Sequence, residues 1–312
     1  MITYSGRKCV LSFTKFLSFV IIVMFLVTVL LTFIVLTSEN CACVNQQTSF
    51  CPNSYPKLKN RKLLSHNLAV LVPFRDRFDE LLTFVPYMTN FLNAQGIQYS
   101  IFILNQVDNY RFNRASLINV GYLYTMGDYD YIAMHDVDLL PKNTNLSYAY
   151  PATQPFHVSA PNLHPRYHYD NFIGGILLVN REQFKLVNGM SNKYWGWGLE
   201  DDEFFVRLKD ANLNVTRPVN ITTGTSNTFR HTHNKTYRKR DTIKCYNQRN
   251  VTRRRDRQTG LHDVKYKITN VHKLTLDDYP VTVVNIELKC NRTVTPWCDC
   301  SNTTKSSLNK KT

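Results

Sequence analysis

Two short polar segments carry residue types that bind ions and phosphates. Asp136-Val137-Asp138 follows the apolar run Tyr131–Met134 after a single residue, His135. Two carboxylates one residue apart can divide a task, one accepting a ligand hydroxyl and the other holding a cation. In His231-Thr232-His233, alternate residues of an extended segment point the same way and can present two imidazoles to one ion. No CxxC or HExxH pairing accompanies them, so a closed structural zinc site is not indicated. One carboxylate and two imidazoles leave coordination positions open for a ligand's oxygens, a mixed set that suits a manganese-like ion bridging phosphates. Each motif alone is weak, since acidic strand-to-loop turns and surface histidines are common.

A third segment, Trp195-Gly-Trp-Gly-Leu-Glu-Asp-Asp-Glu203, is more informative. Two tryptophans among glycines are hard to explain as core, whereas flat aromatic faces on a pliable loop suit sugar rings. The four acids open an expected helix from Glu200 to about Asn212, with Phe204, Phe205 and Leu208 on its apolar face. The helix dipole favours such acids whatever the function, which leaves the tryptophans unexplained. Arg75, Arg77 and Arg114 fall near expected strand ends, where they can hold a base, ribose or phosphates. The runs Arg238-Lys-Arg240 and Arg253-Arg-Arg255 read as solvated charge, with attraction of an acidic acceptor as the alternative.

The elements that must position these groups alternate. Leu68–Val72 reads as a buried strand ended by Pro73, followed by an amphipathic helix over about Asp76–Asn93 and a strand at Tyr99–Leu104. Asn113–Met126 has helical spacing with Gly127 as its stop, Tyr131–Met134 is a third strand, and Gly175–Val179 a later one. This alternation predicts an α/β sheet with parallel strands, whose ligands bind beyond the carboxyl ends of the strands. There is no internal repeat, P-loop or GxGxxG.

A chain of 312 residues, 43% hydrophobic and 20% charged, can bury a full core. The formal charge of +15 would suit a nucleic-acid binder, but the sequence predicts a different compartment. Phe16–Ser38 carries no charged residue over 23 positions, where about 20 suffice to cross a bilayer. Arg7, Lys8 and Lys15 precede it, which predicts a cytosolic tail at 1–15, a transmembrane signal anchor at 16–38 and everything beyond on the lumenal side. That side retains +12 and has no genome to bind, so anionic carbohydrate, nucleotide sugars or membrane are the expected partners. Residues 39–65 read as a stem, 66–300 as the catalytic domain and 301–312 as a disordered tail. Seven cysteines (Cys41, Cys43, Cys51, Cys245, Cys290, Cys298 and Cys300) and seven Asn-x-Ser/Thr sequons lie beyond the anchor, consistent with an oxidising, glycosylating compartment.

Taken in order, Val72-Pro-Phe-Arg-Asp-Arg77, Phe112-Asn-Arg-Ala115, Asp136-Val-Asp138, Trp195-Gly-Trp-Gly198 with Glu200-Asp-Asp202, and Phe229-Arg-His-Thr-His233 resemble the β-1,4-galactosyltransferases. His-x-His, Tyr167-His-Tyr169 and Thr295-Pro-Trp-Cys298 are most similar to that family's xylose-directed, proteoglycan linkage-region branch. The resemblance implies a GT-A fold, a Rossmann-like mixed sheet flanked by helices and preceded by one transmembrane helix. It also implies inverting transfer of galactose from UDP-galactose to the 4-hydroxyl of xylose on proteoglycan core proteins, Mn²⁺ as cofactor, and a single-pass type II Golgi protein. An N-acetylglucosamine-directed transferase and a non-catalytic lumenal sugar-binding protein are the alternatives. Within the resemblance Asp201 is the catalytic base; Asp138, His231 and His233 bind the metal; Pro73, Phe74, Arg75, Arg77, Arg114, Asp136 and Val137 hold the nucleotide; and Tyr167, Tyr169, Trp197, Leu199, Glu200 and Asp202 form the acceptor site. Phe172 departs from the family pattern, which has tyrosine before the paired glycines Gly174-Gly175.

Overall fold

The computed structural model describes residues 16, 18–32, 66–233, 236 and 238–301. The chain divides into two units, Met1–Lys59 and Asn60–Thr312. In the first, helix α1 (18–32) is described, with exposed apolar side chains. No helix among the described residues is long and apolar enough to cross a membrane. The rest of the expected 16–38 anchor, the stem at 39–65 and the tail from 302 lie outside the described residues.

The second unit is built on β1 (Asn67–Phe74), whose apolar run is buried on both faces. Its alternate residues separate two cores. Leu68, Val70 and Val72 face α2 (Phe78–Gln95) through Phe84, Val85 and Met88, while Ala69 and Leu71 face α3 (Arg114–Thr125) through Leu117, Ile118 and Val120. β2 (Gln98–Gln106) and β3 (Tyr131–His135) divide their side chains in the same way. A helix thus covers each face of the sheet, as near-continuous hydrophobic strands require. Two helix ends are fixed locally. Asn113 accepts a hydrogen bond from the Ser116 amide at the start of α3, and Gly96 closes α2 in a left-handed turn.

β4 (Leu139–Pro141), β5 (Phe156–His157), β6 (Ile176–Asn180), β7 (Phe229–His231), β8 (Tyr266–Leu276) and β9 (Tyr279–Leu288) complete the strands. The main sheet runs β5-β6-β3-β1-β2-β9-β8, and β4 pairs with β7 separately. β1, β2, β3 and β9 are mutually parallel, while β5, β6 and β8 are antiparallel to their neighbours. The parallel strands expected from the alternation are β1, β2 and β3, and the antiparallel neighbours make the sheet mixed, as the resemblance implied. The β8–β9 hairpin has no counterpart in the sequence reading. β8 alternates only over Tyr266–Thr269 and is exposed over most of its remaining length, and the turn is made by Asp277 and Asp278, both at positive φ.

Two further helices complete the site's frame, α4 (Arg181–Leu186) and α5 (Glu200–Asp210), with the short α6 (Gln248–Val251) behind them. Disulfide Cys245–Cys300 ties this region to the carboxyl-terminal segment, within which Cys290–Cys298 closes a short loop.

Candidate active site

A cleft of about 850 Å³ opens beyond the carboxyl ends of β1 and β3. Every expected site residue lines it except Phe74, which is 3% exposed and packs edge-on against Phe78 beneath the loop. Phe74 therefore supports the loop after β1 without reaching the cleft.

On one side, the loop after β1 sends in two guanidiniums. Arg75 is fastened to the backbone carbonyls of Gln106, Asp108 and Tyr110, which fixes the loop. Arg77 donates to Glu80 and Asp138 at 3.2 and 3.5 Å. Asp138 is brought to the histidines by the β4–β7 ladder, in which Leu139 pairs with His231 and the Thr232 amide donates to the Asp138 carbonyl. Asp138 Oδ2 lies 3.2 Å from His233 Nδ1, and Asp138 Oδ1 lies 3.8 Å from His231 Nε2.

Burial, reinforced by Arg166, lowers the His231 pKa to about 3. Burial and the charge of Arg77 lower that of His233 to about 4. Both imidazoles are neutral and keep a lone pair for a ligand. Arg77 Nη1 stands 3.2 Å from His233 Nδ1. A guanidinium has only protons to offer, so this nitrogen meets it as an acceptor. Two acceptors, His233 Nδ1 and Asp138 Oδ2, are thus held together by an intervening cation. Among the described residues no three His, Cys, Asp or Glu side chains are already closed around one point. The donor chemistry fits a divalent ion once Arg77 Nη1 withdraws from these atoms.

At the centre, Arg114 bridges two carboxylates, with Nε 3.0 Å from Asp136 Oδ1 and Nη1 2.8 Å from Asp201 Oδ1. Burial opposes charge on Arg114, but Asp201 and Asp136 outweigh it and keep the guanidinium protonated. The Asp201 carboxyl is raised by burial, against the pull of Arg114. Its other oxygen lies over Gly174, where a Cβ would come within 2.6 Å of Oδ2, so only glycine leaves that oxygen its place.

The far side is aromatic. Trp197 and Leu199 are 44% and 39% exposed, on a loop with Gly196, Gly198 and Leu199 all at positive φ. For Leu199 this is a strained conformation at the start of α5. Trp195 corrects the expectation that both tryptophans serve a ligand, because it is 3% exposed and packs against Tyr110. The four acids also separate. Asp201 meets Arg114, Asp202 accepts from Tyr169 at 2.9 Å, and Glu203 is buried in a two-oxygen pair with Arg207. Glu200 Oε2 is buried without a partner, and burial with the charge of Asp201 raises that carboxyl to about 7.

Several cleft residues escaped the sequence reading, Arg240 and His164 among them. Arg240, read as solvated charge, donates to the Tyr167 hydroxyl at 2.6 Å and lies 4.8 Å over the Trp197 ring. His164 accepts from the amides of Arg166 and Tyr167, fixing the loop that presents Tyr167. The Arg-Lys-Arg run gave a signal for Arg240 but not its direction; His164 has no sequence signal beyond its neighbouring prolines.

A cleft of this kind, with a part-buried carboxylate between a basic phosphate-sized pocket and an aromatic wall, is equipped to move a sugar from a nucleotide to a hydroxyl. The class is a glycosyltransferase. Profiles described as the N-terminal region of glycosyl transferase group 7 and the N-terminal domain of galactosyltransferase match residues 37–151 and 154–232. The chain is 65% identical over 239 residues to β-1,4-galactosyltransferase 7 of Drosophila melanogaster, covering 76% of this chain and 74% of that protein. It is 53% identical over 236 residues to human β-1,4-galactosyltransferase 7, covering 76% and 72%. It is 48% identical over 239 residues to xylosylprotein 4-β-galactosyltransferase of Caenorhabditis elegans, covering 75% and 82%. The chain belongs to the β-1,4-galactosyltransferase family. Its fold matches the crystal structure of a mutant of the Drosophila enzyme in complex with manganese, UDP-Gal and xylobiose, with a TM-score of 0.75 over 76% of this chain and 100% of that one. The GT-A-like mixed sheet follows from this match.

Proposed function

We propose that this chain transfers galactose from UDP-galactose to the 4-hydroxyl of xylose on proteoglycan core proteins, with inversion and with Mn²⁺ as cofactor. The observation that carries this reading is the 65% identical Drosophila structure holding manganese, UDP-Gal and xylobiose. The acceptor name of the Caenorhabditis elegans relative supports it.

Inversion needs one in-line displacement, hence a base on the acceptor hydroxyl and a stabilised leaving group. Asp201 is assigned the base, with Arg114 on Oδ1 and Oδ2 turned over Gly174 to take the proton. The hydroxyl oxygen then bonds to the anomeric carbon as the bond to UDP breaks, its electron pair leaving with the phosphate. Asp138, His231 and His233 are assigned the metal, which when bound neutralises charge on the departing diphosphate. Pro73, Arg75, Arg77, Arg114, Asp136 and Val137 are assigned to the nucleotide, with Phe74 beneath them. Tyr167, Tyr169, Trp197, Leu199, Glu200 and Asp202 are assigned to the acceptor. The test is product analysis with UDP-galactose, Mn²⁺ and either a β-xyloside or a β-N-acetylglucosaminide. A new β-1,4 linkage on the xyloside is expected, and transfer to the glucosaminide alone would overturn the reading.

We further propose a single-pass type II Golgi membrane protein, residues 16–38 forming the anchor and the catalytic domain lying in the lumen. The basic residues before Phe16, the uncharged run after it and the two disulfides support this. Residues 39–312 should resist protease in sealed microsomes, and digestion without detergent would overturn the topology.

A further inference from the structure

The cations of the cleft divide by what they face, and two of them, Arg240 and Lys244, are engaged by the Trp197 ring and the Trp197 carbonyl. Arg75, Arg77, Arg114 and Arg238 each face a carboxylate: Asp108; Glu80 and Asp138; Asp136 and Asp201; and Asp79 and Glu80, respectively. Lys239, Arg249 and Arg253 also line the cleft but are exposed and have no ion-pair partner among the described residues. These three belong to a segment bound at several points to the tryptophan–glycine loop. The Trp197 amide donates to the Asp241 carbonyl and Lys244 Nζ to the Trp197 carbonyl, at 2.8 and 2.9 Å. Gln248 Nε2 donates to the Trp195 carbonyl at 2.8 Å, and the Tyr194 hydroxyl to the Thr252 carbonyl at 3.1 Å. The Cys245–Cys300 disulfide and the pairing of Arg111 with Asp241 hold the segment from behind. Arg249 and Arg253 therefore stand on the segment fastened to the aromatic wall, while Lys239 follows Arg238, which shares Glu80 with Arg77.

We propose that Lys239, Arg249 and Arg253 form a docking rim for acidic side chains of the acceptor polypeptide flanking its sugar. This rests on the acceptor reading above. A sugar seated against Trp197 brings its attached chain to the edge of this wall, and an acidic chain complements three cations that have no carboxylate partner among the described residues. Such exposed charges act mainly by steering and raising the local concentration of the acceptor, so their effect falls with salt. A cluster serving only solubility would leave acceptor preference unchanged.

The experiment uses the detergent-solubilised full-length protein and three acceptors: an aryl β-xyloside, a xylosylated peptide flanked by Asp and Glu, and the same peptide with Asn and Gln. At low salt, kcat/KM for the acidic peptide should exceed that for the neutral one by about tenfold, and the gap should close as salt rises. In the triple variant Lys239→Ser, Arg249→Ser, Arg253→Ser the preference should vanish, with the rate on the aryl xyloside and the KM for UDP-galactose unchanged. The double variant Arg249→Glu, Arg253→Glu should prefer a Lys-flanked peptide, an outcome that loss of folding cannot produce. Equal rates on the two peptides in the unaltered enzyme, or a preference surviving in the triple variant, would overturn the proposal. A raised donor KM in that variant would assign the rim to the nucleotide and overturn it as well. If the unaltered enzyme fails on the aryl xyloside, the acceptor reading fails first and the rim's assignment with it.

Discussion

Arg114 Nη1 lies 2.8 Å from Asp201 Oδ1, and the same guanidinium reaches Asp136 through Nε, so one buried cation couples the expected base to the nucleotide side of the cleft. Asn at 201 keeps an oxygen for Arg114 and the same shape but cannot take a proton. Asp201→Asn should lose about 10²- to 10⁴-fold in turnover with UDP and Mn²⁺ affinities nearly unchanged. A helix-capping role alone would instead cost about 1 kcal/mol of stability and leave turnover intact. Single-turnover rates with calorimetric UDP binding separate the two.

The pH profile follows from the same contact. A base works when ionised, and burial raises the Asp201 carboxyl above its ordinary value, so the acid limb of kcat/KM should lie above the usual carboxylate range. Arg114 favours the ionised form, so Arg114→Gln should move that limb to still higher pH. It should also destabilise the fold by about 1–3 kcal/mol, because the part-buried Asp201 and the more exposed Asp136 lose their partner. A limb that stays in place would show that Asp201 does not govern it.

The central strands and the two histidines were legible because their signals are local. Leu68–Val72 is long, apolar and β-branched, and it became β1 within two residues at either end. The β8–β9 hairpin was missed although β9 carries the apolar, β-branched run Val281–Leu288, because its partner β8 is mostly exposed and gives the pair only a weak signal. Within the site, residue types were readable while directions were not. Trp195 and Trp197 are two positions apart, yet one joins the core and the other the cleft, because the intervening Gly196, at φ 78°, turns the chain against Arg111. Arg238 and Arg240 differ likewise, one pairing with Glu80 and the other lying over Trp197. Such choices depend on partners distant in sequence.

His233→Ala should raise the Mn²⁺ concentration needed for half-maximal activity at least tenfold, since it removes one of three donors. Direct binding, followed by the loss of the free Mn²⁺ electron-spin signal on titration, should weaken in parallel. Because Arg77 Nη1 already contacts Asp138 and His233, Arg77→Leu is expected to tighten metal binding in the absence of nucleotide while weakening UDP binding. Unchanged activity in chelator-treated protein would remove the metal role.

Two buried histidines make the fold acid-sensitive. Burial lowers His135 to about 4 and His157 to about 3, and His157 Nδ1 has no hydrogen-bond partner. An unfolded histidine titrates near about 6.5, so below that pH the unfolded chain binds protons that the folded one refuses. Their contribution is complete above about pH 6.5 and declines toward about pH 4 and 3, each by about 1.4 kcal/mol per pH unit. The raised carboxyls Glu200 and Asp201 act in the opposite sense, becoming less costly as they protonate. Urea unfolding of His157→Gln between pH 7.5 and 5 should therefore show a shallower loss than the unaltered chain, and an identical slope would exclude the histidine.

The acceptor wall should exclude hexoses by size. Xylose lacks the hydroxymethyl group on its fifth carbon, so a pocket closed by Tyr167, Tyr169, Trp197 and Leu199 can fit tightly against a sugar that ends there. Leu199 is held at φ 77°, a conformation glycine adopts without strain. Leu199→Gly should relieve about 1 kcal/mol of backbone cost while admitting β-glucosides, so stability and discrimination move in opposite directions. Phe172 is buried beneath this wall, its ring centroid 5.1 and 5.5 Å from those of Tyr167 and Tyr169, and its edge crowds Gly174 beside Asp201. A phenyl ring there offers no hydrogen bond, whereas a tyrosine hydroxyl would. A bond of that kind is worth about 0.5–1.5 kcal/mol, so Phe172→Tyr should change the ratio of galactose to N-acetylgalactosamine transfer by roughly two- to tenfold. The measurement is transfer to a β-xyloside and a β-glucoside from both UDP sugars. Equal rates on the two acceptors in the unaltered enzyme would remove the size argument, and an unchanged donor ratio in the tyrosine variant would confine Phe172 to packing.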